Sequence, residues 1–396
     1  MIIKPALRSN VFLNAHPLGS QAYVQQLIQE ARSFKPFKGP KHVLIIGGSS
    51  GYGLSTRIAL TFGAQASTLN VSFESGPKGD RTGSAGWWNN IFFQQETAQL
   101  SSQHKDFVGD AFSSAMKQQV IQYLKDHKLT IDLVVYSLAS GARNNPLTNE
   151  LVRSAIKPIG QSASGKTIDV GEKKVLDLSL TPANEQEIKD TVYVMGGEDW
   201  KAWIDALDQA NVLSPSVKTI SYTYIGGPTN AAIYRAGTLG KAKEDLELKA
   251  KEIHQLLQKK YHGEALISSS KAVVTKASVF IPKMPIYVSC LFDVMTRRGV
   301  HETTLAHKYR LFKDMVYGNQ RLLDEHGRLR LDAREMETSI QKETLSLMNK
   351  HDNESIFALP GTTMFINEFY RIHGFRVLPD DNIEVDLNQL ALLQPK

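Results

Sequence analysis

Between Val43 and Leu60 an apolar run, Val43-Leu44-Ile45-Ile46, feeds the turn Gly47-Gly48-Ser49-Ser50-Gly51-Tyr52-Gly53, and an amphipathic helical stretch leaves it. This is the layout of a βα unit that holds a pyrophosphate. Glycines let the backbone turn sharply and approach a ligand, while the free N–H groups of the first helical turn face the anion. The spacing Gly47-x-x-x-Gly51-x-Gly53 is wider than the G-x-G-x-x-G of ordinary dinucleotide folds. A nucleotide cofactor is therefore indicated before any catalytic residue is chosen.

The alternation downstream supports an α/β chain. Ala66–Glu74 reads as a second strand, Phe107–Asp110 closes a third, Ala115–His127 has helical spacing and Ile131–Ser137 is a buried strand. Gly76–Asn90, rich in Gly, Ser and Asn and carrying Trp87-Trp88, reads as a loop. Pro158–Thr181 breaks the rhythm: Thr167–Val170 and Lys174–Leu178 flank Gly171-Glu172, an exposed hairpin inserted into the fold. A helix near Glu198–Ala210, a strand near Val217–Ile225, a long helix from Thr238 to Tyr261 and a strand near Ala265–Val274 resume the pattern. The expected fold is a Rossmann-like, doubly wound parallel sheet with that hairpin and extra C-terminal helices, over about 286–396. One elaborated domain over 1–396 is expected, since no composition shift marks a boundary.

Net charge is +6, but the basic residues are scattered. Lys241, Lys243, Lys249 and Lys251 alternate with Glu244, Asp245, Glu247 and Glu252, a solvated helix pattern rather than a nucleic-acid stripe. The lone Cys290, inside an apolar run, excludes an internal disulfide framework and a cysteine metal cluster, and reads as an inert core residue. No signal-peptide pattern and no membrane-spanning run is present in the sequence, so a cytoplasmic protein without stable membrane association is expected, with no metal and no nucleic-acid partner.

Candidate site residues lie beyond the strand ends, where ligands bind in open α/β sheets. Phe73-Glu74 ends the second strand, and Glu74 follows Gly53 by 21 positions, where a carboxylate bonds ribose hydroxyls and repels a 2′-phosphate. That favours NADH over NADPH. Asp110-Ala111 is placed to meet the adenine, and Leu138-Ala139-Ser140-Gly141 is small enough for the backbone to approach a ribose. In the cluster Ser221–Lys243, Tyr234 is a proton-donor candidate if a nearby cation lowers its pKa. Lys241 and Lys243 compete for that part. Thr238 reads as an N-cap, which leaves Tyr234 in the preceding loop, and spacing alone does not choose between the lysines.

Taken together, the glycine run from Lys41 to Arg57, Met195–Trp200 and Ile233-Tyr234-Arg235-x-Gly237-Thr238-x-Gly240-x-Ala242-Lys243 resemble the FabV-type trans-2-enoyl-ACP/CoA reductases of the short-chain dehydrogenase/reductase superfamily. The similarity runs from Met1–Pro5 and Ala15-His16-Pro17 to His373-Gly374-Phe375, while Arg376–Asn382 departs from the pattern. The resemblance implies a catalytic pair of Tyr234 and Lys243, Tyr224 on the substrate, and Val273-Val274-Thr275 along the nicotinamide. With Gly47, Gly48, Ser49, Ser50, Gly51, Tyr52, Phe73, Glu74, Asp110, Ala111, Leu138, Ala139 and Lys243 these make the expected NADH site.

The implied reaction is NADH-dependent reduction of a trans-2-enoyl thioester of acyl carrier protein or coenzyme A in fatty acid synthesis, by a monomer. His16 reads as structural, and Pro282 and Met284 as borders of the acyl channel. Two alternatives stand beside this reading: a carbonyl (ketoacyl) reductase using the same pair, and a nucleotide-sensing protein without turnover.

Overall fold

The computed structural model describes residues 1–138, 140–276 and 278–396. Its central sheet has strands β1 (His42–Ile46), β2 (Ser67–Ser72), β3 (His104–Val108), β4 (Ile131–Tyr136), β5 (Leu213–Thr223), β6 (Glu264–Ser269) and β7 (Leu329–Arg330). They lie in the order β7-β6-β5-β4-β1-β2-β3, every neighbouring pair parallel. The order reverses between β1 and β4, so the chain leaves these adjacent strands in opposite directions and opens a crevice at their C-terminal ends.

Strand alternation separates the two faces of the sheet. Leu44, Ile46, Val134 and Tyr136 pack with α4 (Ser114–Asp126), α6 (Glu198–Gln209) and α7 (Thr238–Tyr261). Val43, Ile45, Leu133 and Val135 point the other way, onto Leu60 of α2 (Gly51–Ala64) and the turn Leu311–Val316 that continues α9 (Thr304–Arg310). Both faces are covered, which is why the strands are continuous apolar runs. A further cluster joins α1 (Pro17–Arg32), α3 (Ala85–Thr97), α8 (Met284–Arg297), α10 (Thr338–Lys350) and α11 (Pro360–Arg371) to the inserted hairpin, Ala163–Asp169 with Lys174–Leu180.

Several expectations are corrected. Gly76–Asn90 is a loop only to Ser84; α3 starts at Ala85, because Trp88, Ile91 and Phe92 bury one face and Trp88 Nε1 donates to Thr82 O at 2.7 Å. The strand expected over Ala265–Val274 stops at Ser269, where Ser270 N turns to Thr223 O. Thr238 is the first helical residue rather than the N-cap; its N–H and hydroxyl are drawn to the Ala155–Lys157 backbone instead. The C-terminal stretch is helical but also contributes β7 to the sheet edge.

Helices α1 and α5 (Glu185–Met195) were not foreseen. His16 caps α1, its Nδ1 accepting Gly19 N–H at 3.1 Å, as its structural reading expects. Cys290 is fully buried, and burial pushes its thiol up to about 12, consistent with an inert core residue. Among the described residues no helix is long and apolar enough to cross a membrane.

A buried polar chain fixes the glycine turn to the sheet. Gly48 N donates to Asn70 Oδ1 (2.7 Å), Asn70 Nδ2 donates to Asp106 Oδ1 (2.7 Å), and Arg57 of α2 grips both Asp106 oxygens (2.7 and 3.2 Å). Both partners of the ion pair are 0% exposed, so either one alone is an uncompensated buried charge. Asp106→Ala is expected to lower unfolding free energy by about 3 kcal/mol or more in denaturant titrations; a loss below about 1 kcal/mol contradicts this account.

Candidate active site

The glycine turn is built by exclusion of side chains. Gly47 has φ +93°, and a Cβ there would sit 2.5 Å from Ser137 O, the residue that follows β4. A Cβ on Gly53 would lie 1.9 Å from Gly47 O, so α2 leaves β1 at a distance only glycine permits. Ser50 is the N-cap of α2 but makes no side-chain cap bond, which leaves first-turn N–H groups turned to the crevice. Gly51, with φ +54°, lies against Thr275 on the far side: its Cβ would be 3.3 Å from Thr275 Cγ2. Leu138, half-buried beyond β4, adjoins Gly47. Gly47–Gly53, Leu138 and Thr275 therefore meet at one mouth, a cradle that fits the pyrophosphate of a dinucleotide.

Glu74 stands beside this cradle. Its Oε1 accepts from Ser49 Oγ at 2.5 Å, and Oε2 accepts from Ser84 Oγ. Gly86 leaves room for the carboxylate, since a Cβ there would be 1.9 Å from Oε1. Phe73, 79% exposed, presents an apolar ring next to it. Asp110 stabilises its own loop through Phe112 N (2.9 Å), and Ala111 is buried, its carbonyl accepting Lys117 Nζ and Trp203 Nε1. Ala139 lies outside the described residues. Val273 and Val274 are buried just before Thr275, and Ser278 Oγ pins this segment by bonds to Val273 O and Thr275 N–H. Tyr52 Oη donates to Lys271 O at 2.5 Å and ties the glycine turn to the same segment.

Tyr234 ends a single helical turn, Ala231–Tyr234, folded back on the start of α7. Gly237 and Gly240 make that fold-back sterically possible: Cβ atoms there would lie 2.3 Å from Ile233 O and 2.1 Å from Arg235 O. The two lysines now separate. Lys241 is exposed and paired with Glu244 at 2.8 Å, whereas Lys243 is half-buried and its burial, partly offset by Glu247, lowers its pKa to about 8. Tyr224 meets Tyr234 edge-on, with ring centroids 4.7 Å apart. Its Oη donates to Glu335 Oε1 (3.0 Å) and accepts from Asn230 Nδ2 (3.2 Å). The expected lowering of the Tyr234 phenol by a nearby cation is not what the chain's own residues give: burial, and then the Glu335 carboxylate, push it well above its ordinary value, so it is protonated at neutral pH.

Sequence reasoning missed Glu335 and Tyr287, whose Oη donates to Glu335 Oε1 at 2.7 Å. Glu335 sits in the polar run Arg334-Glu335-Met336-Glu337, which carries no local signal. Met284, an expected channel border, is buried with its Sδ 3.3 Å from Asn230 Nδ2. No group of three or more potential metal ligands occurs among the described residues.

Residues 81–317 match the family model of the trans-2-enoyl-CoA reductase catalytic region, and residues 2–79 that of its NAD(P)H binding domain. The chain belongs to the trans-2-enoyl-CoA reductase family. It is 42% identical, over 98% of its length and 97% of the relative's, to the enoyl-[acyl-carrier-protein] reductase [NADH] of Burkholderia multivorans. It is 39% identical to the trans-2-enoyl-CoA reductase [NADH] of Ruminiclostridium cellulolyticum, covering 98% of both chains. The solved trans-2-enoyl-CoA reductase of Clostridium acetobutulicum in complex with NADH superposes with a TM-score of 0.97 at 38% identity, covering 100% of both chains. That of Treponema denticola in complex with NAD gives 0.91 at 38% identity, over 97% of this chain and 98% of that one.

Residues 323–385 match a third model, described as an enoyl reductase FAD binding domain. Two of the three glycines there, Gly361 and Gly374, offer no cradle for a flavin pyrophosphate. The tight glycines there are taken up by the protein itself: Cβ atoms on Gly361 and Gly374 would lie 2.0 Å from Ser289 O and 2.3 Å from His16 O. In this family member Glu74→Ala is expected to weaken NADH binding about tenfold, by loss of a charged acceptor, while NADPH affinity does not fall. Fluorescence titrations check this, and an unchanged NADH/NADPH ratio contradicts it.

Proposed function

We propose that this chain is the NADH-dependent reductase of the trans-2 double bond in enoyl thioesters of acyl carrier protein or coenzyme A, working in fatty acid synthesis. The observation that supports the reading most is a dinucleotide cradle whose Tyr52 lies near the half-buried Tyr234, itself edge-on to Tyr224, on one elaborated α/β frame; the family resemblance adds Lys243, half-buried on α7. Two relatives of nearly full coverage carry enoyl reductase [NADH] names. NADH, when bound, supplies the hydride that the β-carbon of the enoyl thioester receives.

In this proposal Gly47–Gly53 hold the cofactor phosphates, Glu74 and Phe73 the adenosine end, and Val273–Thr275 the nicotinamide end. Negative charge develops on the thioester oxygen, and Tyr234, protonated at neutral pH, donates a hydrogen bond to it and supplies a proton. Lys243 orients the nicotinamide ribose and lends positive charge to the phenol. The lysine's depressed pKa of about 8 gives the sign of one pH effect: its cation is lost as pH rises through that value, and activity falls with it. The chain is taken to act as a cytoplasmic monomer and as one elaborated domain; one apolar cluster reaching from Ala15 to Leu387 supports the single domain.

Absorbance assays with trans-2-enoyl-CoA test the reading. NADH oxidation giving saturated acyl-CoA is expected, and Tyr234→Phe is expected to lower kcat about 100-fold or more with NADH affinity within about threefold. NADH binding without enoyl turnover, or turnover of β-ketoacyl thioesters only, overturns it. Met284→Trp is expected to abolish reduction of long acyl chains before short ones; equal reduction of both removes Met284 from the channel.

A further inference from the structure

Among the groups next to Tyr224 and Tyr234, the mechanism above gives no part to the buried carboxyl of Glu335. Glu335 is 0% exposed and lies directly behind the reaction chamber, at the junction of five segments. Tyr224 Oη from the end of β5 (3.0 Å) and Tyr287 Oη from α8 (2.7 Å) converge on Oε1, and Ala272 N–H, just after β6, donates to Oε2 at 2.6 Å. Gln341 of α10 closes the group from behind, its Nε2 donating to both Tyr287 Oη and Glu335 O at 2.8 Å. No cation forms a salt bridge with this carboxylate among the described residues. A carboxyl placed only to anchor helices is better served by a neutral amide or a paired arginine, because an unpaired buried charge is destabilising.

We infer that Glu335 is a positioning residue for enoyl reduction: its protonation state decides whether the Tyr224 hydroxyl donates toward Glu335 or toward the thioester oxygen beside Tyr234. The inference rests on the proposed reductase function. With Glu335 ionised, both phenol hydrogens are committed to Oε1 and Tyr224 offers the chamber only lone pairs. With Glu335 protonated, the acid O–H donates to Tyr224 Oη, and the Tyr224 hydrogen is released to join Tyr234 on the developing oxyanion. No covalent bond beyond the carboxyl's own O–H changes. A second donor at an oxyanion stabilises the transition state in a dry site far more than in water.

Burial raises the Glu335 pKa to about 7, against the lowering by the three hydrogen bonds, so both states exist near neutrality. The groups that face it are Tyr52 from α2, Tyr224, Tyr234 and Tyr287, Lys271 after β6, and Asp332 and Arg330 from its own segment. Of these, Lys271 titrates at about 8, with Lys243, and no phenol titrates near 7. The sign follows: the donor state is present below the Glu335 pKa, and activity falls as pH rises through it.

The test measures kcat/KM for trans-2-enoyl-CoA from about pH 6 to about pH 8.5, a range that brackets these values, in wild type, Glu335→Gln and Tyr224→Phe. Infrared difference spectra over the same range follow the protonated-carboxyl C=O band. Wild type is expected to lose activity about tenfold or more through a limb near pH 7, ahead of the lysine limb near 8. Glu335→Gln keeps an amide donor on Tyr224 at every pH, so it is expected to retain the low-pH rate and lose the limb and the band. Tyr224→Phe is expected to start from the lower rate, lose the limb, and shift the band.

A wild-type profile flat through pH 7, or a limb that survives in either variant, overturns the inference. If Glu335→Gln does not fold, Tyr224→Phe decides on the same terms. If wild type reduces no enoyl thioester at any pH, the functional reading fails on its own, and the infrared experiment still decides about Glu335. A carboxyl band titrating near 7 that shifts in Tyr224→Phe then supports the coupling, and an absent or unmoved band overturns it.

Discussion

The structure depends on one close approach of backbones. The start of α2 crosses the end of β1 so tightly that a Cβ on Gly53 would fall 1.9 Å from Gly47 O, and a Cβ on Gly47 would meet Ser137 O at 2.5 Å. Nothing larger than hydrogen fits at either place. The contact brings the ends of β1 and β4 together at the point where strand order reverses, and it turns the N-terminus of α2 toward the crevice. The buried chain from Gly48 through Asn70 and Asp106 to Arg57 then locks the turn to β2, β3 and α2. Thr275 closes the opposite side, so the cofactor cradle and the segment carrying Val273 and Val274 share one rim.

Beyond that rim, the proposed reaction chamber draws on elements distant in sequence. Tyr224 comes from the end of β5, Tyr234 from a separate turn, Lys243 from the second turn of α7, and Glu335 from the link before α10. The fold-back of the Tyr234 turn is again a matter of missing side chains, at Gly237 and Gly240. The phenols of Tyr224 and Tyr287 and the amides of Asn230 and Gln341 form one hydrogen-bonded group with the Glu335 carboxyl. Within that group, on the proposal above, the orientation of a single O–H decides how a developing oxyanion is stabilised.

Much of this was legible in the sequence because the signals are local. A β-branched run ending in glycines, a carboxylate 21 positions on and a long helix opening at Thr238 each declare themselves within a few residues. The helix Thr238–Tyr261 and the inserted hairpin fall where expected, but the hairpin is not exposed throughout: Ile168 and Val170 are fully buried in the apolar cluster it shares with the helices. What was not legible depends on tertiary closure. Spacing left Lys241 and Lys243 equal; the family resemblance favours Lys243, and burial separates the two physically. Thr238 looks like a cap by residue type, yet its hydroxyl is claimed by Ala155 and Lys157, some eighty residues upstream. Strand β7 is two residues long and pairs only at the sheet edge, and Glu335 lies in an unmarked polar run.

The central claim is that this frame delivers a hydride to the β-carbon of an enoyl thioester while Tyr234 holds the oxygen. The most direct measurement runs a single turnover with NADH carrying deuterium at the transferred C4 position and a trans-2-enoyl-CoA, then locates the label in the acyl product by mass spectrometry. The account predicts one deuterium at C3 of the saturated chain and a solvent-derived hydrogen at C2. Label at C2, label on a carbinol carbon, or none transferred contradicts it.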